Sequence, residues 1–201
     1  RSSDLNFLTS SNLFSVLRQV SYSGLLAFGM TFVILIGGID LSVGAILALV
    51  GIITASLIQA GVDPILASLI GVLLGALCGA FNGLLISVGK IAPFIATLAT
   101  MILFRGIAQE YSQSKPISIN ATGFFDAIGS GYLLDFIPIP VLLMLVVYFV
   151  LWFVLQKTRF GRYVYALGGS EDVALISGLK VKRLKLWVYT LSGILSAIAA
   201  L

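Results

Sequence analysis

The sequence predicts an all-α protein, a polytopic bundle of transmembrane helices with a short helix in a cytoplasmic loop. Three observations predict it. Hydrophobic residues make up 59% of the 201 residues and charged residues only 10%, where a soluble domain carries about 25% charged. Apolar stretches recur along the chain, each complete one long enough, or nearly so, to cross a hydrocarbon layer of about 30 Å as a helix. The basic residues are concentrated in one loop rather than spread over a surface, which argues against nucleic acid as a partner.

Taken in order, residues 1–20 mix Asp4 and Arg18 with Ser and Asn, and read as a loop with an interfacial or amphipathic helix over 12–20. The first span covers 22–39 and is interrupted by Asp40. The second covers 41–60 and ends at the turn Gly61-Val62-Asp63-Pro64, where Gly and Pro punctuate. The third covers 65–88 and the fourth 91–111, separated by the break at Gly89-Lys90. The fourth merges into a Ser-, Gly- and Asn-rich loop over 106–136. The fifth span covers 137–155, a second polar loop 156–186, and the last span 187–201 reaches the chain end. With no initial Met and an apolar run at its end, the chain reads as a fragment of a longer protein. The expectation is a single transmembrane domain over 1–201, truncated at both ends.

Orientation follows from loop charge. Loop 156–186 carries seven basic residues, Lys157, Arg159, Arg162, Lys180, Lys182, Arg183 and Lys185, against Glu171 and Asp172. Loop 106–136 carries Lys115 against Glu110, Asp126 and Asp135. Basic loops stay in the cytoplasm, so 156–186 is expected inside and 106–136 outside. Lys90 then lies inside and the N-terminal segment outside, which implies a missing upstream span if the native N-terminus is cytoplasmic.

The composition excludes much. There is no His, so neither a Ser–His–Asp set nor a His-ligated metal is available. Gly83 to Gly89-Lys90 has the wrong spacing for a phosphate-binding loop, and Ile91 stands where a hydroxyl is needed. Span interiors almost lack ionisable groups, which ion-coupled carriers use at mid-membrane. The lone Cys78 reads as a small apolar helix residue. No enzyme constellation survives, and energy for any transport is expected from another subunit.

Several features stand out. Gly71, Gly75, Gly79 and Gly83 form a row at steps of four, which lets another helix approach closely; Gly79→Leu is therefore expected to disrupt assembly more than Gly61→Leu. Asn82 beside the row can bond a neighbouring helix or line a polar path. Asp40, in Gly37-Gly38-Ile39-Asp40-Leu41-Ser42-Val43-Gly44, can cap the second span together with Ser42 or take part in a pathway. A carboxylate deep in lipid costs about 2.5–3.5 kcal/mol. Pro93 reads as a helix start, Arg105 and Glu110 as snorkelling ends. Asn120-Ala121-Thr122 matches a glycosylation triplet of a kind frequent by chance. In loop 156–186, Ser170 is a good N-cap, Glu171 and Asp172 suit a helix N-terminus, and Gly178 is a good stop. They define a two-turn helix. Physical chemistry leaves two roles open for it: docking element for a soluble partner, or interfacial helix on lipid headgroups.

These segments resemble the permeases of ribose-type sugar ABC importers. The resemblance is carried by Gly29-Met30-Thr31-Phe32-Val33-Ile34 with Gly37 to Gly44, by Phe94-Ile95-Ala96-Thr97-Leu98, and by Thr158-Arg159-Phe160-Gly161-Arg162 through Ala166-Leu167-Gly168-Gly169, Glu171, Ala174, Ser177 and Gly178. It spans nearly the whole chain in order. It implies a permease subunit of the bacterial inner membrane, multi-pass, in a homo- or heterodimer. Its partners would be a cytoplasmic ATP-binding subunit and a periplasmic sugar-binding protein. ATP and Mg²⁺ would sit on the ATPase, and this chain would hold no cofactor. It also implies that Gly161, Gly168, Gly169, Glu171, Ala174 and Gly178 couple the chain to the ATPase, within a Glu-Ala-Ala…Gly motif from which Asp172 and Val173 depart. Asp40, Asn82, Phe94 and Thr97 are candidates for the translocation path. A monosaccharide such as ribose, galactose or xylose is the expected substrate; a stand-alone channel or facilitator is the alternative.

Overall fold

A computed structural model describes residues 10–117, 131–133 and 137–201. Its elements are α1 (Ser10–Leu35), α2 (Val43–Gln59), α3 (Pro64–Ser87), α4 (Pro93–Ser112), the two-residue strands β1 (Tyr132–Leu133) and β2 (Ile137–Pro138), then α5 (Ile139–Lys157), α6 (Arg159–Gly169), α7 (Glu171–Ile176) and α8 (Val181–Ala200). The class is all-α. The strands pair antiparallel over two residues each and only close the connection into α5. Asp4, the triplet at Asn120, Asp126 and Asp135 lie outside the described residues.

Several expected boundaries move. The separate helix over 12–20 and the span from 22 are one continuous helix, α1, of 26 residues. It also stops at Leu35, short of the expected 39, because Gly37 takes a positive φ. Residues 106–111, assigned both to the fourth span and to the following loop, are helical: α4 runs to Ser112, close to the expected end of that span. The largest correction concerns 156–186. It is mostly helical: α6 occupies 11 residues expected as loop, and α8 begins at Val181, not near Trp187. The basic residues misled because charge density was read as loop. Phe160, Val164 and Leu167 fall at helical spacing between Arg159 and Arg162 and their neighbours, and Val164 and Leu167 are buried.

Among the described residues two helices, α3 and α5, are long and apolar enough to cross a membrane, and α2 is apolar but shorter. Their surfaces strengthen this reading. On α5 only Pro140 and Leu151 are buried, while Val146, Phe149 and Phe153 stand exposed. A helix apolar all round needs protein or lipid on every side. α3 is two-faced. Leu66, Leu69, Leu73, Leu77 and Leu84 are exposed, while Gly71, Gly75, Gly79 and Gly83 are buried.

The centre of the bundle is α8, which packs most extensively on α3 and next on α1. The α3 glycine row meets α2 and α8. A Cβ on Gly71 would run into Thr54, one on Gly75 into Ala197 and the Gly193 carbonyl, and one on Gly83 into the Leu186 backbone. Without side chains, the two helix backbones come into direct contact, which lipid alone would not drive. Phe32, Val33, Val164, Leu167, Val188 and Tyr189 pack one apolar cluster joining α1, α6 and α8. Ile46, Leu49, Val50, Phe104, Ala108 and Ala197 pack a second between α2, α4 and α8.

Candidate functional site

Two regions hold the residues singled out in the sequence. The first is the break between α1 and α2. Asp40 is fully buried. Its Oδ1 accepts from the Ser42 N–H at 3.0 Å and from the Ser42 hydroxyl at 2.6 Å. Its Oδ2 accepts from the Ser192 hydroxyl of α8 at 2.9 Å. Asn82 of α3 donates through Nδ2 to the Ser42 oxygen at 2.7 Å. One residue back, the Ile39 carbonyl accepts from Tyr189 of α8 and Thr97 of α4, each at 3.3 Å. A single short segment is thereby tied to α3, α4 and α8. The Asn82 carbonyl oxygen is the one side-chain atom of the network left buried without a hydrogen-bond partner.

This geometry refines the roles expected for these residues. Ser42 occupies the N-cap position of α2 but its side chain caps nothing; Asp40 bonds the Ser42 N–H, just ahead of the helix. Asp40, Asn82 and Thr97 come together as a set, but with no exposure at all. α3, α4 and α8 close over them. Phe94 does not join them; it is half-exposed on the outer face of α4. Tyr189 and Ser192 were not legible as members. They are hydroxyls at i and i+3 in an apolar run, and their partners lie some 150 residues away.

Asp40→Leu removes the acceptor of three hydrogen bonds, so buried donors are left unpaired at about 1–3 kcal/mol each. Thermal unfolding of the detergent-solubilised protein is expected to shift down by several degrees, at about 2–4 °C per kcal/mol. Ser192→Ala removes a single bond and should shift it by much less. An unchanged midpoint for Asp40→Leu would show that the network does not hold the bundle.

The second region is formed by α6, α7 and the start of α8. Thr158 accepts from the Gly161 N–H at 3.3 Å, capping α6 as it turns back from α5. Gly161 and Gly168 are packing positions: a Cβ on Gly161 would collide with the Leu155 carbonyl, and one on Gly168 with the Leu35 carbonyl. Gly169 faces open space. The Ser170 hydroxyl caps α7 by accepting from the Val173 N–H at 3.3 Å, and Gly178 has φ +79°. The Leu179 N–H reaches the Ala174 carbonyl and the Gly178 N–H the Leu175 carbonyl, both at 3.0 Å, the paired bonds of a Schellman ending. Both helix signals read from the sequence are therefore realised.

Of α7's residues only Ala174 is buried. Val173, Leu175 and Ile176 are exposed, Ile176 by 87%. The Lys185 ammonium sits 2.7 and 2.8 Å from the two Glu171 carboxylate oxygens, fastening α7 to α8. Being half-exposed at Glu171, this pair orients the helix more than it stabilises it. Lys90, Glu171, Lys182 and Lys185 share the wall of a groove of about 420 Å³. The α3–α4 turn and the basic segment thus lie at one end of the bundle. Among the described residues no group of His, Cys, Asp and Glu could hold a metal ion.

Residues 12–201 match the family described as "Branched-chain amino acid transport system / permease component". The Ribose import permease protein RbsC of Bacillus subtilis (strain 168) is 54% identical over 195 residues, covering 96% of this chain and 60% of the relative. The protein of the same name from Escherichia coli (strain K12) is 41% identical over 199 residues, covering 98% and 62%. The D-allose transport system permease protein AlsC of Escherichia coli (strain K12) is 44% identical over 197 residues, covering 96% and 59%. The chain therefore spans about 60% of the length of these curated relatives. No solved structure matches it.

Proposed function

Because the chain belongs to the family of branched-chain amino acid transport system permease components, we propose that it is the membrane-spanning part of an ATP-driven importer of a monosaccharide. The family description names amino acids, but relatives at 41–54% identity carry ribose and allose in their names, and these favour a sugar. The chain carries no phosphate-binding loop, so hydrolysis falls to a partner ATPase holding ATP and Mg²⁺. A second permease subunit and a periplasmic binding protein complete the assembly, in the bacterial inner membrane. The observation that carries this reading is α7: a helix of six residues, capped at both ends, with three apolar side chains bare at the basic end of the bundle. Alone in water so short a helix would be marginal. Capped and ion-paired, it is a preformed knob for a cleft in another protein.

The test is uptake of labelled ribose into proteoliposomes holding the full-length permease, its ATPase and its binding protein. Uptake is expected only with enclosed ATP and should stop when the ATPase is omitted. Uptake down a gradient without ATP would favour the channel reading. Sidedness is checked in the same preparation by single cysteines. Position 182 should label only from the cytoplasmic face and position 115 only from outside. Background from Cys78 is low because it is buried; outside labelling at 182 would invert the topology.

A further inference from the structure

We propose that the groove between α6 and the start of α8 holds the headgroup of an anionic phospholipid. The groove has a volume of about 320 Å³, and its walls include Phe160, Tyr163, Lys180, Arg183, Leu184 and Trp187. Two cations and three aromatic rings face it, and among the described residues no acidic one lines it. Lys185 pairs with Glu171 on the other side of α8, and among the described residues neither Lys180 nor Arg183 forms an ion pair. The contrast with the groove beside α7 is informative: there the lysines have Glu171 among them.

The order of groups along α8 selects the ligand. Lys180 and Arg183 lie one turn apart at the helix start, and Trp187 lies a further turn along, a total of about 10 Å at 1.5 Å per residue. Beyond Trp187 the same helix face carries Leu191, Ile194 and Ile198 at helical spacing, all half-buried. Trp187 is 62% exposed and Tyr163 42%, and both ring types favour the headgroup level of a bilayer. This face of α8 thus runs from the cations and rings of the groove to apolar side chains beyond it. A phospholipid has that profile along its length: a phosphate at the cations, glycerol esters at the rings, acyl chains beyond. A free phosphate would use only the first part. An acidic soluble protein would reach the cations but not a tryptophan at membrane depth. Basic pockets at the cytoplasmic ends of membrane helices are suited to such headgroups. This inference requires only that the chain be membrane-embedded; it does not depend on the sugar or on the ATPase.

The experiment is native mass spectrometry of the full-length permease released from nanodiscs made of phosphatidylglycerol and phosphatidylcholine in equal parts. A retained phosphatidylglycerol adduct is expected, and Lys180→Gln with Arg183→Gln should weaken it about thirtyfold, since each cation near an anionic surface contributes about a factor of five to six. Lys180→Arg should keep it, and Lys157→Gln, an exposed cation on α5, should leave it unchanged. Trp187→Ala should shorten retention without altering the preference for the anionic headgroup. Equal adducts of the two lipids would overturn the proposal, as would an equal loss in Lys157→Gln. Displacement by millimolar inorganic phosphate would reassign the groove to a free anion. Protection of a cysteine at position 180 by the added ATPase, with no lipid adduct, would reassign it to a protein interface. Each substituted side chain is exposed, and a single symmetric peak in size exclusion confirms that the variants fold.

Discussion

Ile176→Asp is expected to abolish both sugar uptake and permease-stimulated ATP hydrolysis while leaving the protein folded and inserted. Ile176 is 87% exposed, so the substitution removes nothing from the packed interior. What it adds is a charge at the apolar tip of the helix proposed to dock on the ATPase. Central apolar anchors of an interface typically contribute 2 kcal/mol or more, which corresponds to about thirtyfold in affinity. Gly178→Val should give the same phenotype by another route. At φ +79° a β-branched residue is strained by about 1–3 kcal/mol, so the helix ending unwinds and re-aims Ile176. Glu171→Lys breaks the bond to Lys185 and opposes the helix dipole, and is expected to reduce both activities less severely, because that pair is half-exposed. Co-purification of the ATPase and substrate-stimulated hydrolysis in proteoliposomes read all three. Full stimulated hydrolysis and transport in Ile176→Asp would reduce α7 to a passive interfacial segment.

Gly79→Leu is expected to lose stability through the helix contact at the centre of the bundle. A Cβ at Gly79 would collide with the Tyr189 carbonyl and approach the Cα atoms of Thr190 at 3.0 Å and Gly193 at 3.1 Å. All three are backbone, so no rotamer change makes room and α3 must move away from α8. Overpacking of a filled site costs about 1–3 kcal/mol. Here it also pulls on Tyr189 and Ser192, which hold Ile39 and Asp40. The proper control is Gly106→Leu on α4, where a new side chain meets open space and Leu favours helix over Gly by about 0.8–1 kcal/mol. Gly61 is a poor control, because at φ +89° any side chain there is strained. In detergent, Gly79→Leu should melt well below the native protein and elute as aggregate, while Gly106→Leu should match or exceed it. Equal melting of the two would mean that the α3–α8 contact is loose.

What could be read in the sequence was local. The ends of α7 were legible because Ser170 and Gly178 act on backbone groups within four residues of themselves. The glycine row was legible as a close-contact face, but its partner was not: a row of hydrogens says that something approaches, and nothing in it names α8. α6 was missed because Arg159 and Arg162 drew attention away from Phe160, Val164 and Leu167. The start of α8 was missed because Lys182, Arg183 and Lys185 were read as loop, although lysine and arginine are good helix formers. Asp40 was recognised as unusual from its surroundings alone. Its bond to Ser192 was invisible, since a hydrogen bond across 152 residues leaves no periodic trace.

That separation has a consequence for how the chain is made. Ribosomes add about 5–20 residues per second, so Ser192 is synthesised about 8–30 s after Asp40. For that interval α1 and α2 exist without α8, and the carboxyl group of Asp40 has to be tolerated by whatever surrounds the young hairpin. The two donors already present are the N–H and O–H of Ser42, both on the same oxygen and both only two residues away. Asn82 arrives next, with α3, and bonds to Ser42, not to Asp40. The second carboxylate oxygen waits for Ser192 of α8. The partners are therefore acquired in the order of translation, and an aspartate that would be awkward to insert alone carries its first hydrogen bonds from the start.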